Sequence, residues 1–278
     1  MTKPSDRATN AGGQAFPRAR KRFGQHFLEP AWVTRLVNAV DPQPDDVFLE
    51  IGPGRGALTK VLAPRVRKLL AFEIDRDLAA ALPHTVAGNI DVIEGDFLDA
   101  DLDRITRAEA GPVRVIGNLP YNISSPILFK LLAAANEGRS LADATLMLQK
   151  EVVDRIVATP GTGDYGTLAI QVALVADVER VLTLPPGAFR PPPKVTSAVV
   201  RLTFRAAAED VGSQEVFEKI VRGIFLQRRK TLANALKPVA EALGQQAEDL
   251  IARAHVDGRK RPQALTLGEI AGLCRAVV

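Results

Sequence analysis

The chain has 278 residues, 46% of them hydrophobic and 24% charged, with a net charge of +4 and one cysteine, Cys274. Such proportions exclude disorder, collagen and coiled coil, and the length suits one large domain with a smaller companion. A lone cysteine excludes an internal disulfide, and His26, His84 and His255 lack zinc-ligand spacing. No apolar run reaches the roughly 18 residues of a membrane span or forms a secretory signal, so a soluble cytoplasmic protein without a metal is expected.

The charge is unevenly placed. Residues 1–24 carry 6 basic and 1 acidic side chains, residues 25–184 carry 15 and 22, and residues 185–278 carry 15 and 9. Basic ends around an acidic body either bind a polyanion, gaining affinity by releasing its counterions, or merely solubilise the chain.

In chain order, residues 1–20 read as a basic disordered tail. Trp32, Val33, Leu36, Val37 and Val40 then recur at helical spacing, and Asp41-Pro-Gln-Pro44 ends that helix. Short apolar runs at Val47–Ile51, Leu69–Ile74, Ile90–Ile93, Val113–Ile116 and Ala144–Leu148 alternate with helical patterning such as Ala57–Val66 and Ile127–Leu132. Repeated strand and helix predicts an α/β fold with a doubly wound parallel sheet over 21–205. Ser125-Pro126 reads as the N-cap and first-turn proline of the helix after the fourth strand. Val195–Phe204 alternates as a strand does, after a proline-rich corner over 185–194. From Ser213 the pattern is helical, and a helical C-terminal domain is expected over 206–278. There is no internal repeat.

The first chemical signal is Gly52-Pro53-Gly54-Arg55-Gly56, between the first strand and its helix. Glycines there let backbone N–H groups approach a ligand, although a tight turn alone would also use them. No Gly-Lys-Ser/Thr follows, which excludes a Walker A triphosphate site. Glu73 ends the next strand, 21 residues after Gly52, where an acid can accept both hydroxyls of an adenosine ribose. Asp96, after the third strand, is placed either to accept from an adenine amino group or to cap a helix.

Asn118-Leu119-Pro120-Tyr121 follows the fourth strand. An exocyclic adenine amine is a poor nucleophile because its lone pair is delocalised into the ring. An amide oxygen from Asn118 and the carbonyl of Leu119, accepting its two N–H bonds, would favour the attacking form. Tyr121 can stack on a splayed base, and Pro120 stiffens the turn. A nicotinamide dehydrogenase leaves this segment unexplained. A purely nucleic-acid-binding assembly factor would not need both this segment and the glycine loop.

The blocks Arg22-Phe23-Gly24-Gln25-His26-Phe27-Leu28, Glu50-Ile51-Gly52-Pro53-Gly54, Asn118–Ser124, Leu148–Val153, Phe189–Val200 and Gln227–Asn234 together resemble the ribosomal RNA adenine dimethyltransferases, especially the bacterial enzymes of the small subunit. The resemblance runs from about residue 20 to the C-terminus. It implies a Rossmann-like class I methyltransferase sheet with a small helical C-terminal RNA-binding domain. It also implies transfer of four methyl groups from S-adenosyl-L-methionine to two adjacent adenosines near the 3′ end of small-subunit rRNA, by a monomer acting on an assembling 30S subunit. On this resemblance His26 and Leu28 close over the cofactor, Gly52 and Gly54 line its methionine portion, and Glu73 with Ile74 holds the ribose. Asp96 and Phe97 hold the adenine, and Asn118 faces both cofactor and target. Position 26 departs from the commonest pattern, asparagine; histidine keeps a donor and an acceptor but can also take up a proton. Phe189 resembles a second wall of the base pocket opposite Tyr121, and from sequence alone is equally a core residue. Arg228, Arg229 and Lys230 read as opening a helix, where cations oppose the macrodipole, so phosphate contact is the stronger reading and a solvated face the weaker.

Overall fold

The computed structural model describes residues 26–85, 88–109 and 111–277. The expected tail over 1–20 and the first four residues of the Arg22–Leu28 block lie outside them. In chain order the elements are β1 (Phe27–Leu28), α1 (Pro30–Val40), β2 (Val47–Ile51), α2 (Ala57–Leu62), β3 (Lys68–Glu73), α3 (Arg76–Ala81), β4 (Ile90–Glu94), α4 (Leu102–Arg107), β5 (Val113–Asn118), α5 (Ser124–Asn136) and β6 (Leu141–Gln149). They continue as α6 (Lys150–Ile156), α7 (Thr167–Val175), β7 (Ala176–Leu184), β8 (Phe189–Arg190), β9 (Ser197–Phe204), α8 (Gln214–Leu226), α9 (Leu232–Ala242), α10 (Ala247–Ala254) and α11 (Leu267–Arg275).

Seven strands form one sheet in the order β4-β3-β2-β5-β6-β9-β7, and β1 pairs with β8 in a separate two-stranded ribbon. Strands β2 to β6 are mutually parallel, whereas β9 runs antiparallel to β6 with Gln149 opposite Ser197. All five residues of β2 are buried, as a parallel strand covered on both faces requires. The order reverses between β2 and β5, and a crevice opens at such a switch point beyond the carboxyl ends of the strands. The C-terminal ends of β2 and β5 are the glycine loop and Asn118, so topology alone brings the two chemical segments together.

Local chemistry fixes the ends of the helices. Helix α1 begins with Pro30, buries Val33, Leu36, Val37 and Val40, and stops at Asp41, whose left-handed φ of 52° lets its N–H return to the Val37 carbonyl. The helical pattern predicted over 57–66 becomes α2 followed by a 3-10 turn at Ala63–Arg65, because Pro64 lacks the N–H that an α-helix would use. Ser125 does not cap α5 as expected. The helix starts two residues earlier, with Ile123 at the N-cap position, and Ser124 turns its hydroxyl back to donate to the Tyr121 carbonyl at 3.0 Å.

A buried ion network closes the end of the sheet away from the glycine loop. The Arg114 guanidinium donates to Asp143 at 2.8 Å, to Asp46 at 2.7 Å and to the Val40 carbonyl at 2.9 Å, and it lies over the Phe48 ring. Despite burial, which opposes its charge, these carboxylates hold its pKa above the ordinary value.

The chain divides into two compact units, Met1–Val153 with Glu179–Phe204, and Asp154–Val178 with Arg205–Val278. This differs from the single boundary expected between 205 and 206. The segment carrying α7 groups with the C-terminal helices, and α7 buries six of its nine residues, Leu168, Ala169, Ile170, Val172, Leu174 and Val175. Just before it, Tyr165 packs edge-on against Phe225 and donates to the Leu265 carbonyl at 3.0 Å. In the same unit α8 and α9 approach closely at Gly223, where an added Cβ would stand 2.9 Å from Val239 Cβ.

Candidate active site

A cleft of about 1040 Å³, counting its open mouth, lies at the switch point. It is lined by His26, Phe27, Leu28, the run 50–54, Phe72, Glu73, Ile74, Gly95, Asp96, Phe97 and the run 118–121, together with residues of α2 and α5. Twelve residues singled out from sequence therefore line one cleft: His26, Leu28, Gly52, Gly54, Glu73, Ile74, Asp96, Phe97, Asn118, Leu119, Pro120 and Tyr121.

The glycine loop is shaped for backbone approach. Gly52 and Gly54 have φ of 68° and 59°, which a side chain would strain, and the Gly54 N–H donates to Glu73 Oε2 at 2.9 Å. The other Glu73 oxygen accepts from the Asp75 N–H at 2.9 Å. Burial pushes the Glu73 pKa up, and the two amides oppose that shift by favouring the anion. Asp96 serves as a cap and a lining residue at once, accepting from the Leu98 N–H at 2.9 Å at the start of a 3-10 turn. Phe97, beside it, stands edge-on to Phe72 with ring centroids 5.6 Å apart, while Ile74 is 46% exposed at the lip.

On the other side of the cleft, Asn118 Nδ2 donates to the His26 carbonyl at 2.8 Å. That bond fixes the amide so that Oδ1 is the acceptor it presents elsewhere. The His26 ring is stacked on Tyr121 with centroids 6.0 Å apart, and its Nδ1 lies 2.8 Å from the Pro191 carbonyl. A carbonyl only accepts, so Nδ1 carries the proton and a neutral ring presents Nε2 as an acceptor. Leu119 is 1% exposed, with its N–H on the Met147 carbonyl. Tyr121 is half-buried, and burial raises its pKa.

Two sequence expectations are corrected. Phe189 does not line the cleft: it is 1% exposed, pairs with Leu28 across the β1–β8 ribbon, and packs into the core with Val33, Leu36 and Phe48. Alternation along β8 turns Phe189 inward and leaves Arg190 exposed, so the core reading of this phenylalanine holds. Arg228, Arg229 and Lys230 do not open a helix. They are exposed in the turn after α8, which ends at Leu226, and Arg228 donates to the Gly163 carbonyl at 2.6 Å. The same turn leads directly into α9, whose N-cap is Thr231, so these cations complement the dipole of α8 and oppose that of α9, and the dipoles alone do not account for them.

Three site residues escaped the sequence reading. Glu50, 1% exposed, lines the cleft and accepts from the Thr59 hydroxyl at 2.8 Å. Ser197, fully buried, meets the Tyr121 hydroxyl at 2.7 Å. Arg55 lies over the Phe27 ring at 4.4 Å. Glu50 is a polar position inside an otherwise apolar strand, which is the signal that could have found it.

The donor set suits a nucleoside bearing positive charge. Glu50, Glu73 and Asp96 supply carboxyl groups to one cleft, Phe72, Phe97 and Ile74 supply apolar surface, and the glycine loop leaves room for a chain to pass. Among the described residues no group of three or more His, Cys, Asp or Glu is placed to hold a metal, and no helix is long and apolar enough to cross a membrane.

Comparison with known proteins bears on the same reading. The chain is 42% identical to a ribosomal RNA small subunit methyltransferase A of Acinetobacter baylyi, over 94% of this chain and 93% of that protein. It is 46% identical to one of Pseudomonas fluorescens, over 92% and 93%. A crystal structure of a dimethyladenosine transferase from Plasmodium falciparum superposes with a TM-score of 0.73 at 26% identity, covering 89% of this chain and 96% of that one. The 23S rRNA methyltransferase ErmE superposes with a TM-score of 0.63 at 28% identity, covering 90% and 99%. The family model described as ribosomal RNA adenine dimethylase matches residues 17–271, and the chain belongs to that family.

Proposed function

We propose that the protein transfers methyl groups from S-adenosyl-L-methionine to N6 of two adjacent adenosines near the 3′ end of small-subunit (16S) rRNA, giving N6,N6-dimethyladenosine. The observation that carries this reading is Asn118, held by the His26 carbonyl beside Tyr121 at the switch point, in a cleft whose other half is lined by Gly52, Gly54, Glu73 and Asp96.

When bound, S-adenosylmethionine supplies a methyl already activated on a positively charged sulfur, so the chain has to align rather than activate. Glu73 holds the ribose, with Ile74 against it, and Asp96 and Phe97 hold the adenine. Leu28 and His26 border the methionine portion near the glycine loop. Asn118 Oδ1 and the Leu119 carbonyl accept the two N–H bonds of the target amine, and Pro120 keeps that turn stiff. Tyr121 stacks the extruded base, which a duplex would otherwise hide. The amine proton passes to solvent, and no side-chain base is required.

The C-terminal helices, with Arg229 and Lys230, contact RNA phosphates in this reading. The basic tail adds long-range attraction. The protein acts in the cytoplasm as a monomer on an assembling 30S subunit. Single-turnover transfer on undermethylated small subunits tests the assignment. Asn118→Ala loses about 100-fold, the scale of one deleted electrostatic stabiliser; a near-normal rate would remove Asn118 from the reacting centre.

A further inference from the structure

Glu50 and Glu73 stand on adjacent parallel strands, β2 and β3, and line the same cleft. They are solvated unequally. Glu73, 4% exposed, receives the backbone amides of Gly54 and Asp75 at 2.9 Å each, whereas Glu50, 1% exposed, relies on Thr59 of α2 alone, whose hydroxyl donates to it at 2.8 Å and whose backbone adds a bond. Two carboxyl groups in one enclosed wall do not both ionise readily, and the better solvated one ionises first.

We propose that this pair reads the charge of the cofactor: Glu50 gives up a proton to solvent when a cationic ligand occupies the cleft, and keeps it when the ligand is the spent, uncharged product. The inference rests on the cofactor assignment above. S-adenosylmethionine carries a sulfonium charge that S-adenosylhomocysteine lacks, and the two share every other group. An anionic Glu50 favours the donor over the product, so a buried acid absent from the transfer chemistry assists turnover by discriminating between them.

Burial and the neighbouring Glu73 charge raise the Glu50 pKa to about 7, opposed by the Thr59 hydroxyl. The remaining titratable side chains of the cleft are His26, Asp96 and Tyr121. His26 borders the same cleft, and substitution separates it from Glu50.

The test is calorimetric titration of the full chain with either compound at pH 7, in two buffers of different ionisation enthalpy. Wild type releases about half a proton per S-adenosylmethionine and far less per S-adenosylhomocysteine, and affinity for the former rises about five- to tenfold from pH 6 to pH 8. Glu50→Gln abolishes the release and flattens the pH dependence, whereas His26→Asn retains both. If Glu50→Gln does not fold, Thr59→Val decides: the release moves to higher pH if the inference is right, and an unmoved profile overturns it. Release that survives in Glu50→Gln, or disappears in His26→Asn, overturns it as well. Wild type that binds S-adenosylmethionine without proton release overturns this inference alone; wild type that does not bind it overturns the cofactor assignment too.

Discussion

The Tyr121 hydroxyl and the Ser197 hydroxyl lie 2.7 Å apart, tying the loop after β5 to the first residue of β9. Ser197 is fully buried, so this contact anchors the tip of a ring whose face meets His26. A ring that must stack on an extruded base gains from being held in advance, because ordering it at the moment of binding has an entropic cost. Ser197→Ala is expected to slow methyl transfer three- to tenfold, in line with about 1 kcal/mol for a neutral hydrogen bond, without weakening cofactor binding. Tyr121→Phe should behave alike, and the double variant should be no worse than either single one. Additive losses in the cycle would show that the two hydroxyls act separately.

Glu50 also predicts how stability depends on pH. Its carboxyl has an ordinary value of 4.5 and is raised to about 7 in the folded chain, so the folded state holds the proton more tightly than the unfolded one. Stability then falls as pH rises through the window from about 4.5 to 7, and below or above that window this group adds no slope. The loss between pH 5 and pH 7 is about 2 kcal/mol. Glu73, shifted in the same direction, adds to it with the same sign. Chemical denaturation should show wild type less stable at pH 7 than at pH 5, with much of the difference absent in Glu50→Gln. Equal pH slopes for the two proteins would mean that Glu50 is solvated far better than its burial implies.

Arg114 supports an independent prediction at the opposite end of the sheet. Asp143 is 9% exposed and depends on the guanidinium, whereas Asp46 is partly covered and also accepts from the Gln43 N–H at 2.8 Å. Arg114→Ala leaves the buried Asp143 uncompensated and should destabilise by about 3 kcal/mol. Arg114→Met with Asp143→Leu, which removes both charges, should recover much of that loss. Denaturant midpoints of the three proteins decide it, and a single variant within 1 kcal/mol of wild type would show that water reaches Asp143.

The sequence made the sheet legible up to β6 because its strands are short apolar runs, two of them closed by residues that line the cleft, as Ile51 is by Gly52 and Phe72 by Glu73. It made α7 illegible for a different reason. Thr167–Val175 carries only Thr167 and Gln171 among apolar residues, so its periodicity is weak, and six of its nine residues are buried. In the site, residues that end strands or form turns were found, since glycine, proline and isolated carboxylates stand out there. Glu50 and Ser197 were missed because their roles depend on Thr59 and Tyr121, 9 and 76 residues away, and such pairings exist only once the elements are packed. Phe189 was open between two readings because a phenylalanine before a proline corner fits a pocket wall and a core alike; pairing with Leu28 settles it through the pleat of β8.

The basic turn after α8 supplies the last prediction, and the structure changes which residues should be tested. Arg228 donates to the Gly163 carbonyl at 2.6 Å, so removing it disturbs the packing of its own unit as well as any contact with RNA. Arg229 and Lys230 are exposed in the same turn and offer the cleaner variant. If both meet phosphates, changing them to Ala should weaken binding to undermethylated small subunits and flatten its salt dependence by about 0.7 to 0.9 log units per lost contact. Cofactor affinity should be unchanged, because the cleft is built wholly from residues 26–127. The choice of adenosine should be unchanged too, since phosphate contacts position a protein without reading bases. Arg228→Ala alone should instead lower thermal stability, with a smaller change in the salt slope. Affinity measured across a salt series for wild type and both variants separates these effects. Parallel slopes for wild type and the Arg229/Lys230 variant would make this turn a solvated connection between α8 and α9, and would move the search for the phosphate contacts to the other basic residues of the C-terminal unit, such as Arg259 and Arg261 in the connection after α10.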